Sequence, residues 1–180
     1  MSERPRAAVL WFTGLSGAGK STIAAATHQA IAARGEATEL LDGDVVRKFS
    51  PAGFSRADRE AHVRRVGFLA SRLEHHGVTV QCALISPYAN SRRWVRQLCG
   101  RFIEIYVSTP LAECERRDTK GLYAAARRGE ISQFTGLDDP YEPPESPELT
   151  IDTCQVSIDE AVRRVCAVWA SAMTDGPPHR

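Results

Sequence analysis

Two hydrophobic patterns alternate along this chain. Ala7 to Thr13, Val78 to Ile85 and Phe102 to Val107 are short, nearly continuous apolar runs, the pattern of strands buried on both faces of a parallel sheet. Thr38 to Leu41 and Glu148 to Asp152 add two shorter strands. Between them, apolar residues recur at helical spacing over Gly19 to about Ala33, Ser55 to His75, Asn90 to Leu98, a stretch opened by Pro110, and Ser157 to about Ala170. Ser55 reads as an N-cap with Asp58 in the first turn, and Gly35 and Gly77 as helix ends. This order predicts an α/β fold: a central, mostly parallel five-stranded sheet flanked by helices, with right-handed crossovers. The Val78 to Ile85 run is almost wholly apolar and is expected at the centre.

Two segments break the alternation. Val45 to Phe54 reads as a loop, interrupted at Ser50-Pro51 and Gly53. Lys120 to Pro147 holds a short helical piece, Leu122 to Arg128, within a long irregular stretch; such stretches are lids, binding loops or disordered, and its charges and aromatics indicate a lid. The chain therefore reads as one domain over 1–180, with a lid at about 120–147 and a frayed tail at 171–180.

The first strand runs into Gly14, Leu15, Ser16, Gly17, Ala18, Gly19, Lys20, Ser21 and Thr22, which fit G-x-x-x-x-G-K-[ST]. Glycines let this loop wrap so closely that successive N–H groups point at phosphate oxygens, and the helix N-terminus behind it adds partial positive charge. Lys20 would reach the β- and γ-phosphates and Ser21 would offer its hydroxyl to Mg²⁺. The second strand ends in Asp42-Gly43-Asp44, and ligands of open parallel sheets sit off the carboxyl ends of the strands, so both aspartates share the loop's edge. They can hold Mg²⁺, directly or through water, or take the proton of an attacking hydroxyl. A plain turn would explain one aspartate and the glycine, but not Arg47 three residues on.

Composition narrows the partners. A formal charge of +1 argues against a nucleic-acid or membrane-surface binder, although Arg56, Arg59, Arg64, Arg65 and Arg72 crowd one helix, either as a solvated face or as a site for a small anion. The five scattered cysteines indicate reduced thiols, with Cys82 as a core residue, and no run is apolar enough for a membrane span; cytoplasmic residence is expected. A GTPase switch would need a guanine motif such as N-K-x-D, which is absent. A motor or transport ATPase would end its third strand in D-D or D-E, where this chain has Ile85-Ser86-Pro87. A small-molecule kinase with a closing lid remains.

From Gly14 to Thr153 the chain resembles the adenylylsulfate (APS) kinases. The resemblance rests on the phosphate loop, Leu41-Asp42-Gly43-Asp44 with Arg47, Gly53-Phe54-Ser55 with Asp58-Arg59 and Arg64-Arg65, Ile85-Ser86-Pro87-Tyr88, Arg117-Asp118 with Lys120-Gly121-Leu122-Tyr123, and Phe134-Thr135-Gly136 with Pro140-Tyr141-Glu142. It implies a P-loop kinase fold, ATP and Mg²⁺, and transfer of the γ-phosphate to the 3′-hydroxyl of adenosine 5′-phosphosulfate (APS). It assigns Asp42 and Asp44 to the Mg²⁺ and 3′-hydroxyl region, and Arg47, Arg59 and Lys120 to the anionic parts of the acceptor. Phe54 and Phe134 would stack on its adenine, Ile85 and Ser86 would line the pocket, and Arg117 would lie against the ATP base. In some members the serine matching Ser86 is described as a phosphoserine intermediate, although direct in-line transfer suffices. Family members often form dimers, so a homodimer is expected, and association with an ATP sulfurylase is a further implied partnership.

The chain departs from the family pattern around the acceptor. His62 stands where an asparagine is usual, the loop between Asp44 and Phe54 is shorter, and Ala89, Ala124, Ala125 and Gln133 replace residues that are often arginine, lysine or glycine. The substitution leads us to expect that His62 touches the anionic or ribose part of the acceptor; the alternative is a histidine facing solvent on its helix. Acceptors other than APS, namely the sugar hydroxyl of a related nucleotide, and a non-catalytic nucleotide-binding role beside a sulfate-activating enzyme are the competing readings.

Overall fold

The computed structural model describes residues 6–50 and 53–174. In chain order the elements are β1 (Val9–Thr13), α1 (Lys20–Ala32), β2 (Thr38–Asp42), α2 (Gly43–Phe49), α3 (Arg56–His75), β3 (Thr79–Ala83), α4 (Ala89–Leu98), β4 (Phe102–Val107), α5 (Leu111–Arg117), α6 (Leu122–Arg127), β5 (Leu149–Ile151) and α7 (Ile158–Thr174). The strands form one sheet in the order β2-β3-β1-β4-β5, and every pairing is parallel.

Strand alternation divides the core between two faces. Leu10 and Phe12 of β1 face α1 and α7, packing with Ile23, Ile31, Ile105, Val165 and Trp169. Val9 and Trp11 face α3 and α4, packing with Val63, Val66, Val80 and Val95. Both strands are buried throughout, but β3 alternates Thr79 and Gln81 with Val80 and Cys82, and Gln81 Oε1 accepts from Thr38 Oγ1 of β2 at 2.9 Å, whereas β1 is apolar from Val9 to Phe12. β1, not β3, is the central strand, and β3 lies between β1 and β2. Successive elements run from β1 to β2 and β3 on one side and to β4 and β5 on the other, which opens the crevice at the carboxyl end of β1.

Two expectations need correction. The segment after β2 is not a loop: α2 spans Gly43–Phe49, capped by the Asp42 carboxylate, which accepts from the Asp44 N–H at 2.8 Å. Its pattern is faint because Val45 and Phe49 face outward while Val46 packs inward. The last helix continues through Thr174 rather than fraying from Ser171, and the rest of the expected tail lies outside the described residues. Ser55 caps α3 as expected, accepting from the Asp58 N–H at 3.2 Å, and Cys82 is fully buried in the core.

Candidate active site

The phosphate loop leaves β1 at Gly14, where the chain turns so close to β4 that a Cβ would stand 2.4 Å from the Val107 carbonyl oxygen. Gly17 has φ +74, and a Cβ there would meet the Cys114 carbonyl at 3.1 Å. The carbonyls of Leu15, Ser16, Gly17 and Ala18 each accept from a side chain. Lys20 Nζ donates to Leu15 O at 2.7 Å, Tyr123 Oη to Ser16 O at 2.9 Å, Arg117 Nη1 to Gly17 O at 3.5 Å, and Thr109 Oγ1 to Ala18 O at 2.9 Å. With the carbonyls tied back, the peptide N–H groups are left to form an anion-binding nest at the start of α1. Burial pushes the Lys20 ammonium down to about 8.

Beside the loop, Ser21 Oγ donates to Asp42 Oδ2 at 2.5 Å, so the two groups expected at Mg²⁺ already meet. Among the described residues no cluster of three or more His, Cys, Asp and Glu side chains forms a ready metal cage. That suits a Mg²⁺ held by one or two protein oxygens, with water and phosphate completing its shell.

Asp44 pairs with Lys120 across the cleft mouth. Burial raises the Asp44 carboxyl, but the Lys120 hydrogen bond and charge, followed by Arg47 and Lys20, outweigh this and hold it below its ordinary value. The Arg47 guanidinium lies 5.0 Å over the Phe54 ring, which is 61% exposed. Phe134 is buried and meets Tyr123 edge to face at 4.9 Å. Both phenylalanines line the same cleft, as do Ile85, Ser86 and Arg117.

The arginine-rich helix divides between its two readings. Arg56 lies over Tyr88, Arg64 over Trp94, and Arg72 is exposed, whereas Arg59 is buried in the cleft wall. Arg59 Nε donates to Phe54 O at 2.7 Å, its two terminal nitrogens donate to Thr135 Oγ1 and Gln133 O, and Asp139 Oδ2 lies 3.6 Å away. In this arrangement the guanidinium joins the start of α3 to the segment from Gln133 to Asp139.

His62 does not face solvent: it is 3% exposed, lines the cleft, and has the Gly43 backbone as its polar neighbour. Burial, then Arg47 and Arg65, push the imidazole down to about 4. Ser86 is 2% exposed, with φ +40, a conformation that costs a non-glycine residue about 1–3 kcal/mol. Its Oγ accepts from Trp11 Nε1 at 3.0 Å and donates to Thr13 Oγ1 at 3.0 Å.

Sequence reasoning gave no role to Thr109 and Thr153: Thr109 Oγ1 donates to the loop carbonyl of Ala18 at 2.9 Å and can accept from the Thr153 hydroxyl, 2.7 Å away. Arg117 Nη1 also donates to Thr153 Oγ1, at 2.8 Å. Each threonine follows a strand on the ligand-bearing edge, a placement that could have marked them.

A protein-family model described as adenylylsulphate kinase matches residues 6–152. The chain is 53% identical over 159 residues to an adenylyl-sulfate kinase of Synechococcus sp. (strain JA-3-3Ab), covering 87% of this chain and 90% of the relative. It resembles the APS kinase of Mycobacterium tuberculosis solved in complex with AMPPNP and APS, with TM-score 0.88 and 41% identity over 92% of this chain and 99% of that one. A hexameric APS kinase from Thiobacillus denitrificans aligns with TM-score 0.70 and 38% identity, over 94% of this chain and 29% of that one.

Proposed function

This chain belongs to the adenylylsulphate kinase family, and we propose that it transfers the γ-phosphoryl group of ATP to the 3′-hydroxyl of adenosine 5′-phosphosulfate, giving 3′-phosphoadenosine 5′-phosphosulfate and ADP. The observation that carries this reading is a single cleft of about 1130 Å³ lined both by the phosphate loop and by Asp44, Arg47, Phe54, His62, Lys120 and Phe134. That volume exceeds the usual range of about 300–1,000 Å³ for one small-molecule ligand, as a site for two nucleotides requires.

In this reading the loop N–H groups and Lys20 hold the β- and γ-phosphates, and Lys20 stabilises the charge that spreads over the transferring oxygens. A phosphate beside Lys20 raises its pKa from about 8, which keeps it cationic at neutral pH. Ser21 and Asp42 would hold Mg²⁺, whose charge neutralises the phosphate oxygens. Asp44 receives the proton of the attacking hydroxyl. Phe54 and Phe134 clamp the acceptor base, Arg47 and Lys120 counter its anionic groups, and Arg117 lies by the ATP base. Ile85 and Ser86 form the acceptor wall. The Ser86 proton is committed to Thr13, which favours a positioning role over a phosphoryl carrier.

The test is turnover of purified protein with ATP and Mg²⁺ against a panel of adenylyl and cytidylyl anhydrides, following ADP and the phosphorylated product. APS is expected to be the best acceptor, and chelation of Mg²⁺ to stop turnover. ATP binding without turnover of APS would overturn the reading. Cytoplasmic residence and self-association belong to the same proposal: no helix among the described residues is long and apolar enough to cross a membrane, and a gel-filtration mass tests the second.

A further inference from the structure

The lid is tied down at two places. Arg59 grips its middle, at Gln133 and Thr135. Its closing arm, Asp139 to Glu142, is instead sewn to the loop between β3 and α4. The Glu142 N–H donates to Pro87 O at 2.8 Å, the Ala89 N–H donates to Glu142 Oε2 at 2.7 Å, and Tyr88 Oη donates to Asp139 Oδ2 at 2.9 Å. Tyr141 Oη meets Thr13 Oγ1 at 3.0 Å, while that threonine donates its own proton to Ile85 O at 2.7 Å.

One side chain spans both layers of this seam. Arg92 of α4 is 3% exposed; its Nε donates to Glu104 Oε1 at 2.8 Å, Nη1 to Ser86 O at 2.7 Å, and Nη2 to Glu142 O at 2.6 Å. Glu104 also accepts from Arg96 at 3.2 Å, and Arg96 reaches Glu148 at 2.6 Å, so the fork is fixed to β4 and to the residue before β5. A flat guanidinium can serve three acceptors in fixed directions, which a point-charged ammonium on a flexible stem cannot.

We infer that Arg92 is a positioning residue for the acceptor: it holds Ser86 in its left-handed conformation and pins the closing arm, so that the moving lid is confined to about residues 119–138. The inference rests on the proposed reading in treating Ile85 and Ser86 as the acceptor wall. ATP is held by the loop and by Arg117, none of which Arg92 touches, so the two substrates should respond differently when the fork is lost.

The test has two readouts. In the free wild-type protein, hydrogen exchange of the Ala89 and Glu142 amides is expected to be at least tenfold slower than that of Ile131 and Ser132, and Arg92→Lys should abolish the difference. In steady-state kinetics Arg92→Lys should raise KM for the acceptor about tenfold, with KM for ATP changing less than twofold. Equal exchange across the lid in the wild type, or equal changes in both KM values, would overturn the inference; a fork that merely stabilised the fold would lower Tm and leave the KM ratio unmoved. If Arg92→Lys does not fold, Glu142→Ala, which removes the carboxylate from the Ala89 N–H, decides by the same KM ratio. The exchange pattern is independent of turnover, so a wild type that fails to phosphorylate APS would refute the functional reading without touching the anchor.

Discussion

Replacing His62 by asparagine should remove a specific acid sensitivity. In the unfolded chain the imidazole titrates near 6.5; in the fold, burial followed by Arg47 and Arg65 hold it at about 4, against the opposing pull of the Gly43 backbone and the Asp44 charge. The shift is downward, so its contribution to stability is complete above about pH 6.5 and is lost as pH falls toward 4, because in that window only the unfolded chain takes up the proton. At about 1.4 kcal/mol per unit the loss reaches roughly 3 kcal/mol at pH 4 and about 2 kcal/mol at pH 5. For a chain of this size 2 kcal/mol corresponds to about 4–8 °C in Tm. Thermal unfolding of wild type and His62→Asn at pH 7.5 and 5.0 therefore checks it: the wild type should lose that much more on acidification. Identical pH dependence would refute a buried, neutral imidazole. An acceptor anion beside the ring favours the cation, and a neutral ring donates from one nitrogen only, so His62→Asn should also change the ratio of kcat/KM for APS against the best competing nucleotide. An unchanged ratio would mean that His62 makes no contact with the acceptor.

Lys20→Ala and Asp44→Asn are each expected to lower kcat by on the order of 10²-fold or more, measured beside a Tm control; near-normal turnover of Asp44→Asn would leave Asp42 as the remaining base or metal candidate. Phe54→Ala and Phe134→Ala should both raise KM for the acceptor, yet only the buried Phe134 should also cost stability, about 3–5 kcal/mol by denaturant titration; an unchanged KM in either removes that wall of the clamp. Limited proteolysis should cut within 120–138 in the free protein and be suppressed by ADP plus acceptor, and equal cleavage in both states would count against a lid. Lys120→Gln should move the acid limb of the kcat/KM profile upward while leaving Tm nearly unchanged, because both partners of its ion pair are more than half exposed; an unmoved limb would separate Lys120 from Asp44.

The parts of this molecule that were legible in its sequence are those fixed by near neighbours. The phosphate loop is read from a run of nine residues, the cap at Ser55 from one turn, and the buried strands from uninterrupted apolar runs. The rank of the two buried strands was misjudged although a local mark was there: Thr79–Ala83 carries Thr79 and Gln81, while Val9–Thr13 is apolar up to Phe12, as suits the strand that proves central. The helix after Asp42 escaped notice because a single inward valine leaves almost no periodic signal. In the site, residue types announced which groups could bind phosphate, but not what occupies them. Arg59 looked like an anion ligand, and its two terminal nitrogens each donate to a residue more than seventy positions away. Arg92 carried no motif at all, since its three acceptors come from separate segments that meet only in the fold.

In the proposed reading Asp44 is the base, and its pairing with Lys120 bears on how a weak base can serve the transfer. A carboxylate held below its ordinary pKa by an ammonium is well suited to remain ionised and poorly suited to accept a proton. Burial acts in the opposite direction on the same group, and only the counter-charge keeps the net shift downward. Lys120 stands between α5 and α6, at the entrance to the lid, and its long flexible stem can follow whichever anion lies nearest. Once an acceptor phosphate or sulfate draws the ammonium away, burial is left unopposed by its strongest partner, and the Asp44 pKa rises as the hydroxyl arrives. In a loose phosphoryl-transfer transition state little proton transfer is needed early, so a base that strengthens on substrate binding can suffice without being reactive toward water beforehand. The same ion pair would then hold the base in check in the free protein and release it when the acceptor is in place.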